Sequence, residues 1–165
     1  MNPKVKGGNF EREIAKALSL WITNGQREDV FWRSAMSGGR ATIAQGKVRQ
    51  CGDLCAVADE GWAFSQRWFV ELKHVKKLAL DQFMVKGTGP LANFWRITLR
   101  EAKKYQREPM IIARQNGWPI LVITKPGQLI QWTAPIIHAE YLCDVSLFEA
   151  WMENGRSKPP KRIPR

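Results

Sequence analysis

Residues 52–73 read GDLCAVADEGWAFSQRWFVELK, and this stretch carries the pattern on which the predicted fold depends. The apolar run that ends at Glu71 and Lys73 is typical of a buried strand, and Asp53 opens the strand before it. Side chains two residues apart on a strand point to the same face, so Glu71 and Lys73 project together. A hairpin with its turn at 59–61 is expected to bring Asp53 beside Glu71.

This grouping of two acids and a lysine predicts a metal site. Two neighbouring carboxylates repel each other unless a cation lies between them. Hard oxygen ligands suit Mg²⁺, with Mn²⁺ as a substitute. A nearby lysine can hold or activate a water, so the set would support metal-assisted attack on a phosphodiester. The alternative from the residues alone is structural: Glu71 and Lys73 form an ion pair, and Asp53 only opens a strand.

The remaining sequence predicts a single α/β domain. Periodicity, turn residues and capping signals place the elements in order: a helix over 8–23, strands over 30–34, 53–58 and 67–73, a helix with Thr98 as N-cap that ends before Pro109, strands over 110–113 and 119–124, a candidate strand over 128–132, and a helix opened by a capping box at 146–149 and ended by Gly155. This α-β-β-β-α-β-β order indicates a sheet that begins as a meander and is flanked by helices. We expect one domain over residues 1–155 and a basic flexible tail over 156–165.

The first predicted helix contributes a further acid. At about 100° per residue, Glu11 lies between Leu18 and Ile22 inside the apolar stripe, whereas Glu13 faces water beside Lys16. A carboxylate that points at the sheet is costly unless it is paired or bound to a metal. Glu11 is therefore a candidate member of the site. The alternative is a partly exposed acid that the positive N-terminus of the helix stabilises.

The chain is strongly basic. Of its 165 residues, 26 are Lys or Arg and 15 are Asp or Glu, which gives a formal charge of +11. Such a surplus most often serves a polyanion, with nucleic acid first and an anionic membrane surface second; a solubilising charge excess is the alternative. Basic residues in flexible segments, or just past the strand of Glu71, are candidates for phosphate contacts, namely Lys4, Lys6, Arg40, Lys76 and Lys77.

Other features argue against several classes of protein. No apolar run approaches the ~20 residues of a membrane span, and the charged N-terminus lacks a secretory pattern. We therefore expect a cytoplasmic protein, in the host cytoplasm if a phage encodes it. Three cysteines, an odd number, fit free thiols in a reducing compartment and give little support for a zinc site. Trp21, Trp32 and Trp68 fall at core-like positions, and His74 is expected to point away from the face of Lys73.

Four motifs in this order resemble the archaeal-type Holliday junction resolvases of the PD-(D/E)XK nuclease superfamily. They are KGGNFERE over residues 6–13, FWRSAMS over residues 31–37, GDL over residues 52–54 and VELK over residues 70–73. The resemblance spans residues 4–78 by motif and 98–124 by order of elements. It implies a restriction-endonuclease-like core with a central mixed β-sheet flanked by helices.

The resemblance also implies roles for the residues of the predicted site. Asp53 and Glu71 would bind the metal together with the backbone carbonyl of Leu72, and Glu11 would complete the site from the helix. Lys73 would position or deprotonate the attacking water. The implied activity is Mg²⁺-dependent hydrolysis of branched DNA, such as a four-way junction, by a homodimer. Its products would be a 5′-phosphate and a 3′-hydroxyl.

Further positions match the family or depart from it. Arg33 and Ser37 match family positions near the scissile phosphate. Gly52 stands where many members have proline, and the segments 38–52 and 74–97 are longer than in the compact resolvases. These insertions leave the shape of the DNA substrate open, so linear duplex or flap DNA is an alternative to a junction.

Three classes of function follow from these observations. The first is a metal-dependent DNA endonuclease that is selective for branched structure. The second is a non-catalytic DNA-binding module that keeps a relic of the fold. The third is a basic structural protein in which Asp53, Glu71 and Lys73 coincide by chance. The intact acid–acid–lysine set favours the first class, because a relic is expected to lose a costly cluster of charges.

Overall fold

The computed structural model describes residues 3–34, 52–128, 134–136 and 142–156. Its elements follow one another in the order α1 (Pro3–Ile22), β1 (Phe31–Arg33), β2 (Leu54–Ala56), a 3₁₀ turn (Asp59–Gly61), α2 (Trp62–Arg67), β3 (Trp68–Val75), α3 (Leu80–Lys86), α4 (Pro90–Lys104), β4 (Glu108–Gln115), β5 (Ile120–Thr124), β6 (Ala134–Ile136), β7 (Cys143–Leu147) and α5 (Phe148–Arg156). The candidate strand over 128–132 and the predicted tail lie almost wholly outside the described residues.

Strands β3 to β7 form one mixed sheet in the spatial order β3-β4-β5-β7-β6. The β3–β4 pair is parallel, and the other pairs are antiparallel. Strands β1 and β2 form a separate antiparallel pair, which a parallel bridge between Gly52 and Val70 attaches to the free edge of β3. The predicted α/β class, with a mixed sheet flanked by helices, is confirmed.

Two apolar clusters fix which helices cover which face of the sheet. Phe10, Ile14 and Leu18 of α1 pack with Val70 and Leu72 of β3, and α5 joins this cluster. On the opposite face, α3 and α4 pack over β4, β5 and β7, with Trp95 of α4 completely buried. Alternate residues of a strand face opposite sides. Glu71 and Lys73 therefore project on the side of α4, and Leu72 projects on the side of α1.

The expected hairpin between the second and third strands is wrong. The connection contains the 3₁₀ turn and α2, and β2 reaches the edge of β3 in a parallel sense. Parallel neighbours require a crossover connection instead of a tight turn. Helix α2 has only six residues, too few to show a helical period in the sequence. The burial of Phe64 in the core holds this helix in place. Asp53 still arrives beside Glu71, but by a different path.

The predicted starts of three helices are also wrong. Helix α1 begins at Pro3, and α4 begins at Pro90, because proline suits the first turn of a helix. Thr98 is not an N-cap: it is buried within α4, and its hydroxyl donates to the Phe94 carbonyl. The predicted capping box at 146–149 is replaced by a strand that runs to Leu147, so α5 begins at the next residue.

The tryptophans divide between the core and the surface. Trp68 is buried and Trp21 is partly buried, as expected. Trp32 is 61 % exposed, so its predicted place in the core is wrong. Within the described ranges, no helix has both the length and the apolar character that a membrane span requires.

Gly155 lies within α5 instead of ending it, and it gives a test of the packing between α5 and α1. A β-carbon at Gly155 would lie 2.6 Å from Cζ2 of Trp21, whereas one at Gly7 of α1 would meet nothing within 4 Å. We predict that Gly155→Ala lowers the free energy of unfolding by about 1–3 kcal/mol through overpacking. The control Gly7→Ala should raise it by up to about 1 kcal/mol through helix propensity. Urea denaturation measures both, and stabilisation by Gly155→Ala would contradict this packing.

Candidate active site

Three polar side chains converge where β2 meets the edge of β3. The Lys73 ammonium forms an ion pair with the Glu71 carboxylate, and its Nζ lies 3.9 Å from Oδ2 of Asp53. Asp53 is 6 % exposed, and the other two side chains are about one quarter exposed or less. The structure therefore brings together the two acids and the lysine that the sequence singled out.

Backbone contacts hold Asp53 in place. Its N–H donates to the Val70 carbonyl at 2.8 Å, and its Oδ2 accepts the N–H of Leu72 at 2.8 Å. On the other side, the N–H of Ser34 donates to the Asp53 carbonyl at 2.8 Å. The carboxylate is thus fixed against the backbone of β3 by contacts that do not depend on a second side chain.

Gly52 allows this close approach. Its φ is +79°, a left-handed conformation that favours glycine. A β-carbon at this position would lie 2.4 Å from the carbonyl oxygen of Val70. Proline, which many members of the resembled family carry here, is restricted to a φ near −65°. In this chain the position therefore requires glycine, and Gly52 is more than a neutral replacement for proline.

The two buried acids destabilise each other's charged form. Burial raises the pKa of Asp53 above its usual range, and the charge of Glu11 adds to this, while Lys73 and the N–H of Leu72 oppose it. Burial also raises the pKa of Glu71, and the charge of Asp53 raises it further, against the pull of Lys73. One ammonium is therefore shared by two carboxylates, and a second cation would relieve the remaining repulsion.

Helix α1 brings Glu11 to the border of this cluster. Its Oε2 lies 3.8 Å from Nη1 of Arg33, and its side chain is 27 % exposed. The other acid, Glu13, was expected to face water beside Lys16. Glu13 is exposed as expected, and its carboxylate accepts two hydrogen bonds from the Arg114 guanidinium. Glu11 is the acid of this helix whose charge acts on Asp53.

Helix α4 contributes neighbours that the sequence interpretation did not include. The Phe94 ring centroid lies 5.7 Å from Nζ of Lys73. The charge of Glu101 raises the pKa of Glu71, although Glu101 is itself held by Arg100 and Lys104. The spacing of residues 94, 98 and 101 places them on one helical face, and this spacing could have indicated from the sequence that they lie together beside the site. It was missed because the predicted helix began at Thr98.

The donor set fits a hard divalent cation. Asp53 and Glu71 offer carboxylate oxygens, which Mg²⁺ and Mn²⁺ prefer. The two carboxylates are buried together with only one ammonium, so the cluster carries a net negative charge. In the described part of the chain, no three His, Cys, Asp or Glu side chains converge closely enough to form a metal site on their own. Asp53 and Glu71 would supply the direct carboxylate ligands of a metal here, and backbone or water oxygens, including a water held by Glu11, would complete its coordination.

The candidate phosphate-contact residues have varied surroundings. Lys4 lies in the first turns of α1, and Lys6 donates to Oδ1 of Asn116. Lys76 and Lys77 are exposed just beyond β3. Ser37 and Arg40 lie outside the described residues.

His74 is separate from the acid–lysine cluster. Its ring packs 5.3 Å from that of Phe10 on the side of α1, so it faces away from Lys73 as predicted. Burial lowers the pKa of His74, and the charges of Lys6 and Arg114 lower it further.

Comparison with known proteins gives one family. A family model described as "Phage putative PDDEXK endonuclease" matches residues 2–139, which is more than half of the chain. No curated protein and no solved structure gives a significant match. The family match confirms the predicted superfamily and the restriction-endonuclease-like class of the fold. Its description names an endonuclease and does not name a junction resolvase.

Gly52 gives a test of how the site is built. We predict that Gly52→Ala lowers the free energy of unfolding by about 3 kcal/mol, because it combines a strained φ with a collision against the backbone of β3. Gly117→Ala is the matched control. Gly117 also has a positive φ, of +74°, but a β-carbon there meets nothing within 4 Å. The control should cost only about 1 kcal/mol. Equal losses in the two variants, measured by urea denaturation, would contradict the close approach.

The raised pKa of Asp53 predicts a stability effect of Asp53→Asn. The pKa of Asp53 is higher in the folded protein than in the unfolded chain. At pH values between these two pKa values the folded state therefore binds more protons, so the free energy of unfolding falls as the pH rises. At pH 7 in EDTA, the neutral Asn should therefore raise the free energy of unfolding by about 1 kcal/mol. The gain should vanish below about pH 4, where the Asp53 carboxyl is protonated as well.

Thermal denaturation at pH 7 and at low pH measures this effect. The exposed Asp81→Asn on α3 is the matched control, and it should give no gain at either pH. Added Mg²⁺ should stabilise the wild type by mass action and leave Asp53→Asn nearly unchanged. If Asp53→Asn is less stable than the wild type at pH 7 in EDTA, the buried acids do not repel each other as described.

Proposed function

The chain belongs to the family of phage PDDEXK endonucleases, and from this premise we propose that it is a divalent-metal-dependent DNA endonuclease whose site is built on Asp53, Glu71 and Lys73. The observation that supports the proposal is the convergence of these three side chains at one edge of the sheet. Nucleases of this superfamily generally depend on a divalent metal.

The metal-binding role falls to the two acids. Asp53 and Glu71 would hold Mg²⁺, or Mn²⁺ in its place, together with the backbone carbonyl of Leu72, and Glu11 would complete the site from α1. When bound, the metal supplies a Lewis acid for the phosphoryl oxygen and lowers the pKa of a bound water. The hydrogen bond from the Leu72 N–H keeps Asp53 oriented before any metal arrives.

Lys73 and Arg33 have the roles that involve the substrate. The Lys73 ammonium points into the cluster from β3, where it would hold the attacking water and, in its neutral form, accept the water's proton. Arg33 is 46 % exposed beside Glu11, and its guanidinium would contact the scissile phosphate, as would Ser37. Oxygen of water forms a bond to phosphorus, the bond to the 3′ oxygen breaks, and that oxygen takes a proton. The products are a 5′-phosphate and a 3′-hydroxyl.

Branched DNA is the substrate that we propose, with a four-way junction as the type case and a homodimer as the active form. This follows from the four motifs shared with the junction resolvases and from the +11 charge. The phosphate contacts would come from basic residues around the site, including Lys76 and Lys77, which are exposed just past β3. Linear duplex or flap DNA is the alternative substrate for the same chemistry, and a DNA-binding module without catalysis is the alternative function.

Cleavage assays separate these possibilities. A plasmid, a linear duplex, a flap and a synthetic four-way junction are incubated with the protein in Mg²⁺ or in EDTA. We predict cleavage in Mg²⁺ only, with the junction cut fastest. Glu71→Gln and Lys73→Ala should lower the cleavage rate by at least about 100-fold, while binding of the junction in EDTA changes by less than about threefold, because affinity comes from basic groups outside the cluster.

Glu13→Gln and Lys16→Ala are the matched controls, since both residues lie on α1 in exposed ion pairs away from the cluster. Both controls should cleave at the wild-type rate. Salt-sensitive binding without cleavage of any substrate would favour the non-catalytic module. Equal loss of binding and of cleavage in Glu71→Gln would contradict the proposed division between catalysis and affinity.

A further inference from the structure

Trp32 is an exposed aromatic side chain beside the candidate active site. It lies at the centre of the three-residue strand β1 and is 61 % exposed, although a large aromatic ring normally gains much from burial. Neither the core nor the chemistry of the acid–lysine cluster uses it. Its backbone is well fixed, because it pairs with Cys55 of β2 and its carbonyl accepts the Cys55 S–H at 3.4 Å.

The alternation of the strands places Trp32 on the same side of the sheet as the cluster. Phe31 of β1, Leu54 and Ala56 of β2, and Val70 and Leu72 of β3 all belong to the core cluster under α1. The side chains between them in the sequence therefore project to the opposite side. Those side chains are Trp32, Asp53, Cys55, Glu71 and Lys73.

Trp32 is also close to the cluster along the strand. The N–H of Ser34 donates to the carbonyl of Asp53, and Trp32 precedes Ser34 by two residues. At about 3.3 Å per residue, Trp32 is offset from Asp53 by about 7 Å along β1. Trp32 therefore lies within reach of a nucleotide near the cluster.

The surroundings of Trp32 fit a nucleobase. Val57, the residue after β2, is 57 % exposed, so a second large apolar side chain is accessible on this strand pair. The cation on the side of Trp32 is Lys73 of the cluster, because Arg33 pairs with Leu54 and projects to the side of α1. An aromatic face for the base next to a cation for the backbone is the arrangement that binds unpaired nucleotides.

We propose that Trp32 is a stacking platform for an unpaired base near the scissile phosphate. A base inside a continuous duplex is already stacked on both faces and cannot use this ring, whereas an unpaired base at a branch point or in a flap can. The platform selects DNA with unpaired nucleotides over continuous duplex. This inference rests on the proposed nuclease function, because the cluster defines where the DNA lies.

Binding measured without catalysis tests the platform. Fluorescence anisotropy in EDTA compares three DNAs of matched length: a continuous duplex, a flap, and a four-way junction that carries an unpaired nucleotide at its branch point. Trp32→Ala should weaken binding of the flap and of the junction by roughly 10-fold or more, and binding of the duplex by less than about twofold. Trp32→Phe should retain most of the affinity because it keeps an aromatic ring. Trp118→Ala is the control, since Trp118 is 45 % exposed in the turn between β4 and β5.

A 2-aminopurine at the unpaired position gives a direct readout of stacking. Its fluorescence should change on binding to the wild type and to Trp118→Ala, and stay unchanged with Trp32→Ala. Equal weakening of all three substrates, or no weakening, would overturn the platform. Loss of a dimer in sedimentation, with unchanged selectivity, would assign Trp32 to self-association and overturn it as well.

These outcomes are independent of cleavage. If the protein cuts no DNA in Mg²⁺ but Trp32→Ala still loses its preference for unpaired nucleotides, the nuclease function fails, and Trp32 is a stacking platform in a non-catalytic DNA-binding module. If cleavage occurs and Trp32→Ala binds and cuts every substrate like the wild type, the nuclease function stands and the platform fails.

Discussion

The arrangement of the site depends on the attachment of Asp53 to the backbone of β3. Gly52 adopts a φ that favours glycine and brings β2 against Val70, and the Asp53 carboxylate then accepts the N–H of Leu72. This contact holds the Asp53 carboxylate in a buried position next to Glu71 of β3. The other face of β3 packs under α1. The free energy of the apolar core thus holds together two charges that repel each other.

The cost of that repulsion is informative about function. A protein without use for a cation would gain stability by replacing one of the two acids with a neutral residue. Lys73 offsets part of the cost but carries one charge for two carboxylates. We therefore propose that the cluster is arranged for a further cation, which agrees with the membership of a PDDEXK endonuclease family. Under this proposal, stability and catalysis make opposite demands at this edge of the sheet.

Much of the site could be predicted from the sequence because it depends on local rules. The strand alternation that joins Glu71 to Lys73 is a property of any β-strand, and the helical period alone placed Glu11 on the apolar stripe. The connection before β3 could not be predicted, since α2 has six residues and is held by the burial of Phe64. The start of α4 was missed because its N-terminal signal is Pro90 after a glycine of positive φ, and not a capping side chain.

The exposure of Trp32 shows the same limit. Aromatic residues in a short strand are usually buried, but β1 lies in a two-stranded ribbon with one face under α1 and the other open. The face of the sheet on which an individual side chain lies becomes known only from the assembled sheet.

A crystal of the wild-type protein soaked in Mn²⁺ tests the central claim most directly. We predict an anomalous difference peak in contact with carboxylate oxygens of both Asp53 and Glu71, with the Lys73 ammonium displaced from between them. A map with no peak between the two acids at saturating Mn²⁺, or with Mn²⁺ bound only elsewhere on the chain, would contradict it.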